Sequence, residues 1–402
     1  MSHITELITE LAPHGVPHVA LGEVADYSHT RVNASELDET SFVGVDNLVA
    51  DKGGRIDANY LPNTARLAAY EPGDILIGNI RPYLKKIWFA TDAGGCSGDV
   101  LAVRVKEDGR RRLDPAFLYY LLSSDRFFSY SMQHAKGAKM PRGSKVAILR
   151  YRIPVPPMVI QLQIVEILGK MELLQAELTA ELTNRSRQYA YYRDSLLSFR
   201  DFPVEWVAVG ELGTIFRGKR FTKGDYVADG GVGAVHYGEI YTKYGISATT
   251  VVSRVREDLR SVLRYATKGD VILTDVGETV EDVGKAMAWL GEEDVAVHDH
   301  CYVIRSKVDA SYLAYVMQTG HFLRAKEKHI ARTKVKTLLL EGLQRIQVPV
   351  PPLEEQLRIV AVLNKFDVLV NDLSSGIPAE IAARRKQYEY YRDKLLTFEE
   401  AA

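Results

Sequence analysis

QYAYYRDSLLSF occupies residues 188–199 and QYEYYRDKLLTF residues 387–398, and nine of the twelve positions are identical. A core needs apolar residues at a helical or strand period, not the same Gln, Arg and Asp twice. The duplication extends upstream. IPVPPMVIQLQIVEILGKMELL (153–174) aligns without gaps on VPVPPLEEQLRIVAVLNKFDVL (348–369), with eleven of twenty-two positions identical. The offset is 195 residues there and 199 at the later stretch, so 199 − 195 = 4 extra residues enter the second copy, within SSGIPAEI (374–381). The first copy holds a near-tandem four-residue unit nearby, QAELTAEL (175–182).

Each copy reads as a long amphipathic helix. Leu168, Met171, Leu178, Leu182, Tyr189, Tyr192, Leu196 and Phe199 recur at steps compatible with three and four. From Met158 to Phe199 such a helix is about 63 Å long at 1.5 Å per residue. In the second copy Leu363, Phe366, Val370 and Leu373 begin the stripe, and Tyr388, Tyr391, Leu395 and Phe398 end it. PVPP is expected to stop whatever precedes each helix, because proline cannot extend a strand ladder. Gly376 and Pro378 are expected to kink or divide the second helix. Two apolar-striped helices most simply pack on one another, as a rod. Tyr189, Tyr192, Tyr388 and Tyr391 fall on the stripe and read as core, whereas Tyr191, Arg193, Tyr390 and Arg392 lie off it and read as a partner-docking surface.

The regions between the helices are also related. VPHVALGEV (16–24) parallels VEWVAVGEL (204–212), and EPGDILIGNI (71–80) parallels TKGDVILTDV (267–276), each a Gly-Asp turn feeding an apolar strand. DVLAVR (99–104) then DPAFLYYLLSSDRF (114–127) parallels HCYVIR (300–305) then DASYLAYVMQTGHF (309–322), a strand leading to an Asp-capped amphipathic helix. The order is head (1–152), helical spacer (153–200), head (201–347), helical spacer (348–402). The fold class is mixed α/β: two similar globular heads separated by two long helices, with a pseudo-twofold internal repeat. The copies diverge most in the loops inside the heads.

Seven basic residues, Arg126, Lys136, Lys139, Arg142, Lys145, Arg150 and Arg152, stand in the first head with no Asp or Glu among them. The matching stretch of the second head carries Arg324, Lys326, Lys328, Arg332, Lys334, Lys336 and Arg345 against Glu327 and Glu341. Arg81, Lys85 and Lys86 in RPYLKK, and Arg217, Lys219, Arg220 and Lys223 in FRGKRFTK, add to these, with aromatics interleaved. One basic run is most simply a solvated face. The same placement in both heads favours phosphate contacts that position each head on DNA while loops read base edges.

Other features restrict the alternatives. The formal net charge is −1 over 402 residues, which disfavours a whole-surface nucleic-acid binder but not local patches. The N-terminus has no secretory pattern, no apolar run approaches the length of a membrane span, and two cysteines fit a cytoplasmic setting. No phosphate-binding GxxxxGK[ST] loop, no GxGxxG after a strand and no Asn-Pro-Pro-aromatic tetrapeptide is present. HDHC (298–301) lies in a predicted strand, where alternate side chains diverge, so no metal site is expected. Asp275, Glu278, Glu281 and Asp282 read as an acidic solvated loop. The chain does not read as an enzyme.

The head–helix–head–helix order, with PVPP…QYxYYRDxLLxF repeated, closely resembles the specificity subunit of type I restriction–modification systems over essentially the whole chain. QAELTAEL is similar to the four-residue repeats of some members, and the SSGIP-type break missing from the first helix makes the twofold imperfect. The resemblance implies a non-catalytic subunit whose heads each recognise one half of a bipartite, asymmetric DNA site, while antiparallel helices set the spacer. It implies two docked N6-adenine methyltransferase subunits and further motor-nuclease subunits. The chain itself would hold no cofactor; the complex would use S-adenosylmethionine, and ATP and Mg for restriction. The competing reading is a coiled-coil scaffold whose heads bind proteins.

Overall fold

The computed structural model describes residues 2–199, 203–332, 335–372 and 375–401. The chain divides into two compact units, residues 1–177 with 383–402, and residues 178–382. Each unit thus contains one head, the first part of the helix that follows it, and the last part of the other copy's helix.

In the first unit the central sheet runs Ala25–Tyr27, Val100–Val105, Ile75–Gly78, Ile87–Phe89, all antiparallel. A second four-stranded sheet orders Arg31–Asn33, Arg66–Tyr70, Gly94–Cys96, Phe42–Val43. Strand alternation assigns the layers. Ile75, Ile77, Leu101, Val103 and Val105 face the helices around Phe117, Leu118 and Leu121. Leu76, Val100 and Ala102 face the second sheet, with Val43, Tyr70 and Cys96. The second unit repeats this: Val271, Leu273, Tyr302 and Ile304 face helix residues such as Tyr312 and Tyr315, while Ile272, Met287, Cys301 and Val303 pack with Val235, Val295 and Val297. Its two sheets have five strands each.

The Gly-Asp turns have a structural reason for their carboxylates. Asp74 is buried and takes two bonds from the Arg104 guanidinium, at 2.8 and 2.7 Å. Asp270 does the same with Arg305, at 3.0 and 2.6 Å. The stretch expected as one Asp-capped helix is two in each head. Asp114 caps Pro115–Leu122 and Asp309 caps Ala310–Val316, after which Ser124 and Thr319 cap a second helix by accepting from Phe127 N and Phe322 N.

PVPP does not exclude strand. Arg152–Pro154 pairs with His18–Ala20, and Gln347–Val350 pairs with Glu205–Ala208. Both are two-stranded, so a proline nitrogen can face away from the single partner. The long helix then spans Met158–Leu196, 39 residues. The second copy is divided as expected, into Leu353–Asn371 and Ile377–Leu395, with Pro378 in the first turn of the latter.

Each head is fastened to its helix by a buried glutamine. Gln161 accepts from Asp114 N at 2.9 Å and donates to the carbonyls of Arg112 and Pro156, both at 2.7 Å. Gln356 accepts from Asp309 N and donates to the Pro351 carbonyl, both at 2.8 Å. The helix segments that meet in each unit are antiparallel. In the first, Glu400 meets Arg152 while Tyr388 Oη donates to Glu172 at 2.6 Å; Tyr120 Oη donates to the same carboxylate at 3.1 Å. In the second, Tyr189 Oη donates to Asp367 at 3.3 Å and Tyr192 stacks on Phe366 at 5.7 Å. The 195- and 199-residue offsets place Asp367 on Glu172 and Tyr388 on Tyr189, so one contact is made twice. Burial raises the Glu172 pKa against the two tyrosine hydroxyls.

Replacing Gln161 by Ala strands three backbone groups at a buried site, which costs about 2–3 kcal/mol. The expected result is a lower denaturation midpoint, with faster hydrogen exchange at the Asp114 amide and unchanged exchange at the Asp309 amide. Gln356→Ala should show the converse.

Candidate nucleic-acid interface

The basic loops of the two heads hang from the same backbone frame. In the first head Asn79 N donates to the Asp99 carbonyl at 2.8 Å, and Gly143 N donates to the Asn79 carbonyl at 3.0 Å. In the second, Asp275 N donates to the His300 carbonyl at 3.1 Å, and Leu338 N donates to the Asp275 carbonyl at 2.7 Å. Next to this bracket, Ile80 bridges to Arg142 and Arg142 to Lys136 in the first head. The equivalent residues of the second head, Val276, Thr337 and Ala331, pair likewise in a three-stranded sheet. The loop after the central strand and the basic hairpin are therefore neighbours in both heads.

On the hairpin of the first head Lys136, Lys139, Arg142 and Lys145 are exposed. Arg142 is held by Asp99 at 2.9 and 3.3 Å. Lys145, in the first turn of the helix Lys145–Arg150, lies 6.0 Å over the Tyr27 ring. Lys136, Lys139 and Lys145 reach no carboxylate among the described residues, which leaves their charge available to phosphate. RPYLKK behaves differently. Lys85 is paired with Asp125 at 3.0 Å, Lys86 donates to the Val45 carbonyl at 2.7 Å, and Arg81 is half-buried. The expectation of an open basic run there is corrected: internal acceptors hold its lysines.

In the second head Lys219, Arg220 and Lys223 are exposed. Arg217 is bound by the buried Asp275 carboxylate and the Tyr302 hydroxyl, so it is an internal strut as much as a surface cation. Lys336 donates to the Glu278 carbonyl at 2.8 Å. Arg332 lies on the strand Ile330–Arg332, and Lys334 falls outside the described residues. Lys326 is buried, not solvated: its ammonium caps the carbonyls of Glu281 and Val283. Burial lowers its pKa to about 8, against the pull of Glu281, Asp282 and Glu327. The acidic loop is likewise internally bonded, with Asp282 accepting from Thr279 Oγ1 at 2.8 Å.

The partner-docking residues separate into two kinds. Tyr191 and Tyr390 are 70% and 62% exposed. Arg193 and Arg392 are not open: Arg392 is 2% exposed, and each guanidinium donates through Nε and Nη2 to one carboxylate oxygen of the next residue, Asp194 or Asp393, and lies over the tyrosine one turn earlier at 5.8 or 5.9 Å. A helical stripe calculation places them off the apolar face because it ignores the tyrosine ring beneath the guanidinium. Tyr192, expected in the core, remains 41% exposed despite its stack on Phe366.

The strand expected over HDHC is also corrected. His298, Asp299 and His300 form a turn, closed by Cys301 N donating to the His298 carbonyl at 3.0 Å, and the strand begins only at Cys301. The turn brings His298 and His300 to one cleft of about 290 Å³ with His236, Tyr237 and Phe221. His236 and His298 stand 4.5 Å apart, ring to ring. Gly238 N donates to His236 Nδ1 and His300 N to His298 Nδ1, each at 3.1 Å, and the Asp299 carboxylate lies 3.0 Å from the same His298 nitrogen. No group of three metal-binding side chains occurs among the described residues. The cleft was invisible to sequence reading because its walls lie some sixty residues apart.

Comparison with known proteins gives a consistent family. A model described as the type I restriction modification DNA specificity domain matches residues 203–383. The chain is 34% identical over 265 residues to the Escherichia coli EcoR124I/EcoR124II specificity subunit, covering 61% of this chain and 63% of that one. It is 30% identical over 246 residues to a putative type I specificity subunit of Mycoplasma pneumoniae, covering 59% of this chain and 89% of that one. A chain from a structure of type I R-M system assembly and conformational transition superposes with TM-score 0.63 at 20% identity, over 95% of this chain and 97% of that one. The S subunit from M. genitalium does so with TM-score 0.54 at 12% identity, over 94% and 96%. At such identities the superpositions establish the fold. No helix among the described residues is long and apolar enough to cross a membrane.

The histidine cleft is expected to make the stability of the second head depend on pH. Burial, reinforced by His236 and His300 and opposed by Asp299, lowers His298 to about 4. Between about pH 6.5 and 4 the unfolded chain therefore binds a proton that the folded one does not. This contribution is fully present above pH 6.5 and is lost as pH falls towards 4. Denaturant midpoints for the second unit should drop over that window, and His298→Gln should flatten the drop.

Proposed function

Because the chain belongs to the specificity subunits of type I restriction–modification systems, we propose that each of its heads reads one half of a bipartite, asymmetric DNA site. The helices set the spacer between the half-sites and carry two methyltransferase subunits; motor-nuclease subunits join for restriction. The chemistry belongs to those partners, with S-adenosylmethionine for methylation and ATP and Mg for restriction. This chain contributes recognition.

The observation that carries the reading is a frame repeated without its loops. The Asn79 and Asp275 brackets, the paired hairpins and the buried glutamines coincide residue for residue, yet the loops they hold differ in length, charge and aromatic content. A scaffold binding one kind of protein at both ends has no need to diversify only there. Two readers of different sequences do. Exposed Lys136, Lys139 and Lys145 on one head, and Lys219, Arg220 and Lys223 on the other, suit phosphate positioning beside those loops.

Exchange of residues 1–152 for the matching head of a relative should change one half of the methylated sequence and leave the other unchanged. Methylome sequencing of a host expressing the exchanged chain with its methyltransferase checks this, and a change in both halves rejects independent heads.

Combined Lys136→Ala, Lys139→Ala and Lys145→Ala should make the slope of log K against log salt shallower by about three, at roughly 0.9 per phosphate contact. Binding of the assembled complex to a fixed duplex at several salt concentrations measures it. Discrimination between bases should persist.

A further inference from the structure

The loops held by the shared frame differ, and in the first head one of them is fixed at almost every point. Five non-glycine residues among those described have positive φ, and four of them are Asp51, Lys52, Arg81 and Lys85, between 51° and 64°. L-residues rarely adopt that region, because Cβ crowds the backbone carbonyl. The four lie in two segments that bond each other: Asp51 N donates to the Leu84 carbonyl and Lys52 N to the Lys85 carbonyl, both at 2.9 Å. Arg81 N donates to the Pro141 carbonyl at 2.7 Å, which ties the same turn to the basic hairpin. Lys52 and Lys85 then close on one carboxylate, Asp125, at 2.7 and 3.0 Å. Against the effect of burial, those two lysines hold Asp125 down at about 2.

Between Arg81 and Lys85 runs a single tight turn, Pro82–Leu84, with Pro82 buried. It presents Tyr83, which is 50% exposed and has no hydrogen-bond or ring partner among the described residues. Strained backbone persists where the surroundings over-determine it, and it concentrates at functional positions. Here the restraint fixes the turn that carries the half-exposed ring of Tyr83. The ring stands on the loop stitched through the Ile80–Arg142 bridge to the hairpin of Lys136, Lys139 and Arg142. A rigid aromatic loses little conformational entropy on contact and offers both an apolar face and a hydroxyl.

We propose that Tyr83 is a specificity-determining residue of the first head, placed by its fixed turn so that ring and hydroxyl meet base edges while Lys136 and Lys139 engage phosphates. The corresponding segment of the second head, VGETVEDVGK (276–285), contains no aromatic residue, so the device belongs to one half-site only. The proposal rests on the reading of the chain as a DNA-specificity subunit and adds a residue to it.

The test uses the full chain assembled with its methyltransferase. Binding is measured on the cognate duplex and on duplexes carrying every single-base change in either half-site. Tyr83→Ala should weaken cognate binding about ten-fold and flatten discrimination at one or two positions of the first half-site. Discrimination in the second half-site, the salt slope and the melting temperature should not move. Tyr83→Phe keeps the ring and should retain the part of the discrimination that the hydroxyl does not supply. Parent-like affinity and discrimination in Tyr83→Ala overturns the proposal. So does a uniform loss across all duplexes, which marks mere positioning, or a loss in both half-sites, which marks distortion. If the parent complex binds every duplex equally, the DNA-specificity reading itself fails, and the role of Tyr83 with it.

Discussion

The structure depends first on the side-chain amide of Gln161 and its twin Gln356. Each lies in the first turn of a long helix, buried, where a polar group without partners costs more than a hydrogen bond gains. The amide resolves this by accepting from the N–H of the aspartate that caps the helix Pro115–Leu122 or Ala310–Val316 and donating to a carbonyl of the proline segment. Three pieces of chain that are otherwise separate, the strand exit, the helix cap and the long helix, are thereby held in one arrangement. An apolar contact could glue them but could not set their register, because dispersion and hydrophobic burial are non-directional. The directional bond does, and two such bonds recur in both heads.

Above that joint, several charges hold the molecule rather than face outward. Asp74–Arg104 and Asp270–Arg305 brace the central sheets, Arg193 and Arg392 are folded over tyrosines, and Arg217 is pinned on Asp275. A basic residue tied to an internal carboxylate has less to offer a phosphate than its count in the sequence suggests. Lys136, Lys139 and Lys145 of the first head and Lys219, Arg220 and Lys223 of the second are exposed and without a carboxylate partner among the described residues. A net charge of −1 is thus compatible with local groups of exposed cations.

The architecture was legible because it is written twice. Helix periodicity, the PVPP boundaries, the Gly-Asp turns and the Asp caps each have a local cause, and repetition removed the ambiguity of any single instance. What stayed hidden depends on residues distant in sequence. The burial of Lys326 arises from carbonyls forty-odd residues earlier, and the histidine cleft joins segments around residues 236 and 298. Arg392 reads as polar surface until the ring of Tyr388 beneath it is known. The left-handed pair Arg81 and Lys85 gave no warning either, since neither is Gly or Asn, the residues from which such a backbone is usually inferred.

The repeat in sequence is not the repeat in structure. Leu395 and Leu396, at the end of the second copy, pack in the core of the first unit with Ile160, Ile164 and Leu168, while Tyr189 and Leu197, at the end of the first copy, pack in the second unit with Ile359 and Leu363. A chain cut between the copies would leave each head with its fastening glutamine but without the antiparallel segment that covers its helix. The twin QYxYYRDxLLxF stretches are therefore similar because each closes the core of the other copy's head. Their Arg and Asp are alike because each guanidinium must be neutralised by the next residue at a site that burial makes costly for an unpaired charge. Two equivalent cores demand the same side chains from both stretches, whereas the loops inside the heads carry no such shared demand.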